Sequence, residues 1–172
     1  MKGARVKLRD GLPWDLDAIV ALERATEHAP HWPEATYAAM LGFRAADPDQ
    51  KASAVPRRRL IVAEADDALV GFAVGLVHAA VSDGSSVDRT SELESVVVAA
   101  DRRRAGIGRA LCLAVLEWCR TRGAAEVVLE VRAASAAAIA LYEGLGFEPL
   151  GRRPRYYRDP EDDALMMRLR FD

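Results

Sequence analysis

The sequence is short of cysteine, short of lysine and without any long apolar run. Two cysteines in 172 residues are too few for a disulfide framework. Cys112 and Cys119 stand seven positions apart in a helical stretch, which puts both on one helix face as buried free thiols. No apolar run approaches the roughly 20 residues that cross a bilayer. The N-terminal residues lead straight into a strand-like segment with no secretory h-region, so a cytoplasmic location is expected. A dominant charge sign is also missing. The formal net charge is −2, so the chain as a whole has no drive toward nucleic acid or an anionic membrane. Only Lys2, Lys7 and Lys51 among the 24 basic residues are lysine; the rest are arginine, as the codon bias of a GC-rich genome would give. That bias does not explain where the arginines cluster. Apolar residues are plentiful at 51%, which excludes disorder, and the length suits one domain, 1–172, with a buried core.

Periodicity places a short strand at 6–9 and a helix over 10–27, with Pro13 near its first turn and Leu16, Ile19, Val20 and Leu22 on its apolar stripe. Pro33 opens a second helix through Tyr37, Met40 and Leu41. Residues 45–58 lack periodicity and read as a loop. Apolar runs at 59–64 and 69–78, separated by Asp66-Asp67, read as an antiparallel hairpin. A polar loop at 81–90 precedes a β-branched strand at 93–98. The period then switches: a helix over 109–122 stops before Gly123, a buried strand follows at 127–131, and an alanine-rich helix spans 135–145 with Ser135 as N-cap. Strands at 147–152 and 164–169 flank a polar loop that contains Tyr156 and Tyr157. Strands and helices mix without strict alternation, which favours a mixed α/β sheet over a doubly wound one.

The chemistry concentrates in one strand–loop–helix segment. After Val96, Val97 and Val98 come Arg102, Arg103, Arg104 and Ala105, then Gly106-Ile107-Gly108-Arg109 at a helix entrance. Glycines there let the backbone approach a ligand, and the free N–H groups of the first turn, with the helix dipole, suit a phosphate. The arginines add positive charge around that entrance, and a pyrophosphate fits it. The dinucleotide fingerprint fails because Leu111 stands where its third glycine belongs, and the P-loop fails at Gly108-Arg109-Ala110.

The spacing Arg103-x-x-Gly106-x-Gly108 resembles the signature of the GNAT superfamily of acyl-CoA-dependent N-acyltransferases. Leu129-Glu130-Val131-Arg132, the stretch from Ala136 to Glu143, Leu145-Gly146-Phe147 and Tyr156-Tyr157 resemble the ribosomal-protein-alanine N-acetyltransferase branch. That likeness is dense over 92–168 and thin before it, where His31-Trp32-Pro33 is a weaker echo. The resemblance implies a GNAT-like, mixed, mostly antiparallel sheet of about six to seven strands flanked by about four helices. It implies acetyl-CoA as acyl donor, with Val96, Val97 and Val98 offering backbone groups to the pantetheine arm. Arg103, Arg104, Ala105, Gly106, Ile107, Gly108 and Arg109 fall on the pyrophosphate loop. Ser135 stands at a cofactor contact where the branch usually carries Asn, and the loops 45–58 and 81–90 are longer than the branch needs, which would reshape the acceptor cleft.

The resemblance also makes Glu130 the general base and Tyr142 the general acid. The chemistry asks for little more. A protein α-amine with a pKa of about 8 needs only its last proton removed, and a phenol near about 10 can protonate a thiolate whose own pKa is about 8.5. A backbone N–H of the fourth strand would meet the oxyanion. Alternatives stay open: Glu130 paired with Arg132, Tyr142 as packing, and Glu92 or Glu94, two apart on one strand and pointing the same way, as base instead. His28, His31 and His78 have no metal-ligand spacing, so no metal is expected; His31 could line the acceptor mouth. The expected reaction is acetyl transfer to a primary amine, first a protein N-terminus, with a small-molecule amine or a CoA-binding regulatory domain without turnover as alternatives. Tyr156 and Tyr157 would grip the first peptide residues, the acidic run 159–163 reads as a solvated turn or could attract basic residues further along, and the protein would act as monomer or homodimer.

Overall fold

The computed structural model describes residues 6–42, 58–78 and 90–171. Most of the expected loops at 45–58 and 81–90 lie outside the described residues; their last residues, Arg58 and Thr90, already begin strands. Seven strands form one sheet in the order β1-β2-β3-β4-β5-β7-β6. They are β1 (Lys7–Asp10), β2 (Arg58–Ala65), β3 (Ala68–Val77), β4 (Thr90–Val98), β5 (Glu126–Arg132), β6 (Glu148–Arg158) and β7 (Glu161–Arg170). Four α-helices accompany them: α1 (Leu16–Arg24), α2 (Glu34–Met40), α3 (Ile107–Thr121) and α4 (Ala136–Glu143). Every strand pair is antiparallel except β4 with β5. α3 carries the chain back across the sheet between those two, which is what a parallel pair requires.

Each face of the sheet has its own core. On one side Leu111, Cys112, Val115, Trp118 and Cys119 of α3 pack on Ile61, Ala73, Leu93, Val127 and Leu129. On the other, Ile19 and Val20 of α1 and Tyr37 of α2 pack on Leu60, Val62, Phe72, Val74 and Val97. α3 lies close on β3 because β3 carries glycines there. A Cβ at Gly71 would stand 2.8 Å from the Val97 carbonyl oxygen, and one at Gly75 would stand 2.6 Å from Val115 Cγ1. Both cysteines are free and buried, and burial pushes their thiols up, to about 12 for Cys112 and about 11 for Cys119.

The hairpin between β2 and β3 turns on Asp66 and Asp67, with φ of 51° and 59°. Two successive left-handed residues make the turn whose twist matches paired strands, and aspartate tolerates that region. Irregularities also interrupt other strand ladders, and two of them shape the site. In β4, Ser95 faces Val74 but Leu93 faces Gly75, so Glu94 is an extra residue. The bulge resets the alternation: Leu93 joins the α3-side core while Val97 joins the opposite one. In β6 the register with β7 breaks between Arg153 and Tyr157, around Arg155 at φ 50°.

Several expectations need correction. The helix expected over 10–27 is shorter: β1 runs through Asp10, a 3-10 turn spans Pro13–Asp15, and α1 covers only Leu16–Arg24. Ser135 precedes α4, but its side chain makes no capping bond. The polar loop expected between the last two strands is itself strand. β6 runs on to Arg158 and the hairpin turns at Asp159-Pro160. It escapes the alternation pattern because β6 is an edge strand, exposed along its length apart from Tyr157.

Arg9 anchors the start of the chain to the sheet. Its guanidinium donates to both carboxylate oxygens of Asp15 at 2.6 and 2.9 Å and to Glu64 at 2.9 Å, while Asp15 also accepts the Leu12 N–H. The Arg9 hydrogen bonds hold the Asp15 carboxyl below its usual range. A group with a lowered folded pKa stabilises above its unfolded pKa of about 4, and that stability is lost as the pH falls through the folded value. Asp15→Asn should therefore lower urea-unfolding stability at pH 7 by about 1–2 kcal/mol, with the gap to wild type closing near the acid limit of folding. Equal gaps at both pH values would show that the Asp15 charge contributes nothing.

Candidate active site

The parallel pairing of β4 with β5 lasts for three residue pairs, from Thr90 with Glu126 to Glu92 with Val128. Beyond them the strands separate and leave a cleft of about 920 Å³. Its walls are the diverging parts of β4 and β5, the segment after α1 with His31 and Trp32, the α4 side with Ser135 and Tyr142, and the β6–β7 hairpin with Arg153, Tyr156 and Tyr157.

Glu130 stands on the exposed face of β5 and lines the cleft. Its partner is Arg153, with Nη1 2.7 Å from Glu130 Oε1. The alternative partner, Arg132, is engaged elsewhere. It donates to the carbonyls of Asp159 and Pro160 at 3.1 and 3.0 Å and lies over the Tyr157 ring at 4.2 Å. Tyr142 enters from α4, half-buried, with its ring edge-on to Phe147 at 5.8 Å. Burial, then the nearby Cys112 and Tyr157, push its phenol up, so it keeps its proton at neutral pH. Ser135 and Tyr142 share the cleft side of their helix, two turns apart.

Tyr156 and Tyr157 meet edge-on at 5.1 Å, and both line the cleft although neighbours on a regular strand would point to opposite faces. The broken register of β6 allows this. A hydrogen bond to Glu130, then burial, raises the Tyr156 phenol. Much of the acidic run serves the hairpin itself. Asp163 accepts from the Arg152 side chain and the Arg155 N–H, and Asp162 accepts the Ala134 N–H. Those two carboxylates hold the turn of the hairpin in shape, and Asp159 lies on the cleft wall.

The other two acids also line the cleft, as their spacing predicts. Glu94 is held by both ends of the Arg58 guanidinium at 2.7 Å, and Glu92 Oε1 lies 2.7 Å from His78 Nε2. Sequence reasoning found neither partner, nor Arg153, because Arg58 and Arg153 sit on other strands and His78 just past the end of β3, at separations that no local pattern reports. It also missed Glu23. This carboxyl is 1% exposed, accepts the Trp32 N–H at 3.2 Å and lies 3.6 Å from His31 Nδ1. Its partners fix the cleft wall where His31 adopts φ 50°.

The helix entrance lies just past the end of β4. Gly106 has φ 80° and Arg104 φ 60°, and the first turn of α3 leaves its N–H groups facing outward. Arg103, Arg104, Ala105, Gly106 and Arg109 are exposed, whereas the Ile107 side chain is buried in the core, so Ile107 has only its backbone to offer. Arg103 Nε donates to the Val98 carbonyl at 3.2 Å. Arg102 is committed to Asp66 and Asp101. Among the described residues Arg103, Arg104 and Arg109 have no acidic partner, and three guanidiniums without a counter-charge at a helix start suit an anionic ligand. Val96 and Val97 line the cleft, and Val98 packs against the α3-side core. Among the described residues no group of three or more His, Cys, Asp or Glu side chains could hold a metal ion, and no helix is long and apolar enough to cross a membrane.

Comparisons with known proteins bear on the family and the fold. The [Ribosomal protein bS18]-alanine N-acetyltransferase of Escherichia coli K12 is 46% identical over 79 residues, covering 45% of this chain and 53% of that protein. By that match the chain spans about half the length of the curated relative. The crystal structure of the ribosomal-protein-S18-alanine N-acetyltransferase from Escherichia coli superposes with a TM-score of 0.74 at 29% identity, covering 96% of this chain and 94% of that one. The ribosomal-protein-alanine N-acetyltransferase from Brucella melitensis gives 0.74 at 26% identity, covering 96% and 99%. The family model for the acetyltransferase (GNAT) family matches residues 17–147, and the chain belongs to that family.

Proposed function

We propose that this chain transfers an acetyl group from acetyl-CoA to a primary amine, first of all a protein N-terminal α-amine. The observation that carries the reading is the placement of Glu130 and Tyr142 on different walls of one cleft, at the seam that leads to the arginine-bordered start of α3. The residues there fit the donor: outward N–H groups at 106–108 and the guanidiniums of Arg103, Arg104 and Arg109 would hold its phosphates, and the unpaired β4 backbone near Val96 and Val97 would face its amide arm. Bound there, the donor supplies an activated acyl thioester. Glu130, directly or through water, accepts the proton that the amine sheds on attack. Tyr142, kept protonated by burial, donates to the departing sulfur. The Tyr156 and Tyr157 rings lie beside Glu130 and would hold the first residues of a peptide. The names of the relatives support a protein N-terminus as acceptor.

Glu130→Gln should lower kcat/KM for the amine by ~10²–10⁴-fold, with the deficit shrinking as rising pH deprotonates the amine unaided. Tyr142→Phe should lower kcat and leave acetyl-CoA affinity nearly intact. Wild-type rates in both would remove the pair from the mechanism. At the helix entrance, a Cβ on Gly108 would meet Leu141 Cδ2 at 3.5 Å and Val98 Cγ2 at 3.7 Å, so the branches of a valine have only the ligand side to occupy. Calorimetry on a folded Gly108→Val protein should show acetyl-CoA binding weakened roughly tenfold or more; unchanged affinity would move the phosphate site elsewhere. Tyr156→Ala and Tyr157→Ala should each raise the peptide KM while sparing acetyl-CoA affinity. An unchanged peptide KM in both, together with turnover of small amines alone, would transfer the reading to a small-molecule acceptor.

A further inference from the structure

Glu130 is not a free carboxylate in this structure. Arg153 reaches it from β6, with Nη1 2.7 Å from Oε1, and the Arg153 guanidinium also lies 5.5 Å from the Tyr156 ring centroid. Among the described residues Arg153 is the one cation within 4.0 Å of Glu130. Three other charged groups around the cleft have their own partners: Glu92 has His78, Glu94 has Arg58, and Arg132 bonds the hairpin carbonyls. Arg153 itself is 53% exposed and stands where the β6–β7 register breaks, so its side chain can swing into water without disturbing the core.

A guanidinium on Oε1 stabilises the carboxylate charge and competes with an incoming nucleophile for it, so the paired Glu130 is a poorer proton acceptor than the freed one. An ammonium can replace the guanidinium like for like, because it brings the same charge and its own N–H donors. Water brings no charge and competes poorly. We infer that Arg153 caps Glu130 until a cationic acceptor displaces it, and so makes the site selective for amines over water. The inference rests on Glu130 acting as base. The reaction held back is hydrolysis. A water oxygen would bond to the thioester carbonyl carbon as the carbon–sulfur bond breaks. One water proton would pass to Glu130 while Tyr142 protonates the sulfur, giving acetate and the free thiol of CoA.

The test is release of CoA thiol from acetyl-CoA with no amine present, measured beside ordinary acetyl transfer. R153Q, which removes the cation from an exposed position, should raise acceptor-independent hydrolysis roughly two- to fivefold, the range expected for an exposed ion pair, and lower the acceptor KM by a similar factor. R153K restores a cation and should return both values toward wild type, although lysine lacks the forked geometry of arginine. In an E130Q background R153Q should add no hydrolysis. Hydrolysis and KM at wild-type values in R153Q, with E130Q impaired in transfer, would overturn the cap while leaving the base in place. A rise that persists in the E130Q background would overturn it as well. Wild-type transfer by E130Q alone would overturn the base assignment on which the cap rests.

Discussion

The site depends on a sheet that stops pairing. β4 and β5 hold each other for three residue pairs and then part, and beyond that point the backbone groups that face the gap, unlike those turned toward β3 and β7, have no strand to satisfy them. An unpaired backbone edge inside a sheet is costly unless water or a ligand takes its hydrogen bonds. The opening follows from the one parallel pair in an otherwise antiparallel sheet, since α3 must leave at the end of β4 and deliver the chain back to the start of β5. The bulge at Glu94 has its effect at the same place. By resetting the alternation it sends Val97 into one core and leaves Glu92 and Glu94 on the cleft.

Charge is divided along this seam. Toward the hairpin and the α1 side, three carboxylates already have partners: Arg153 for Glu130, Arg58 for Glu94 and His78 for Glu92. Toward the start of α3 the arrangement reverses, and Arg103, Arg104 and Arg109 surround the positive end of a helix without acidic partners among the described residues. One end is neutralised in advance and the other awaits an anion, so a ligand with its phosphates at one end and a reactive group at the other has a single favourable direction along the cleft.

Much of this was legible in the sequence, and the remainder was hidden for physical reasons. The Asp66-Asp67 hairpin, the α3 stripe and the glycines at its entrance depend on neighbours within a few positions, where spacing is informative. Glu130 and Tyr142 came from a family likeness, and the cleft that joins them came only from the sheet order. The stretch 153–158 read as loop because an edge strand has no buried face to impose alternation. Ser135 read as a capping side chain from its residue type, but its ψ of 62° turns the backbone out of the usual capping geometry. The ion pairs of Glu94 and Glu130 join different strands, and the burial of Glu23 depends on packing that no period records.

The two cysteines acquire a further meaning from the proposed reaction. Each turnover would release a thiol, and thiols and their disulfides exchange with any accessible thiolate. Cys112 and Cys119 both lie on the face of α3 that packs against the sheet, with pKa values near 12 and 11. At neutral pH roughly one in ten thousand or fewer is ionised, and solvent reaches neither. On that reading the helix proposed to meet the donor's phosphates keeps its own sulfur out of mixed disulfides with the product, and Cys112 and Cys119 would stay unmodified in a pool of oxidised and reduced CoA.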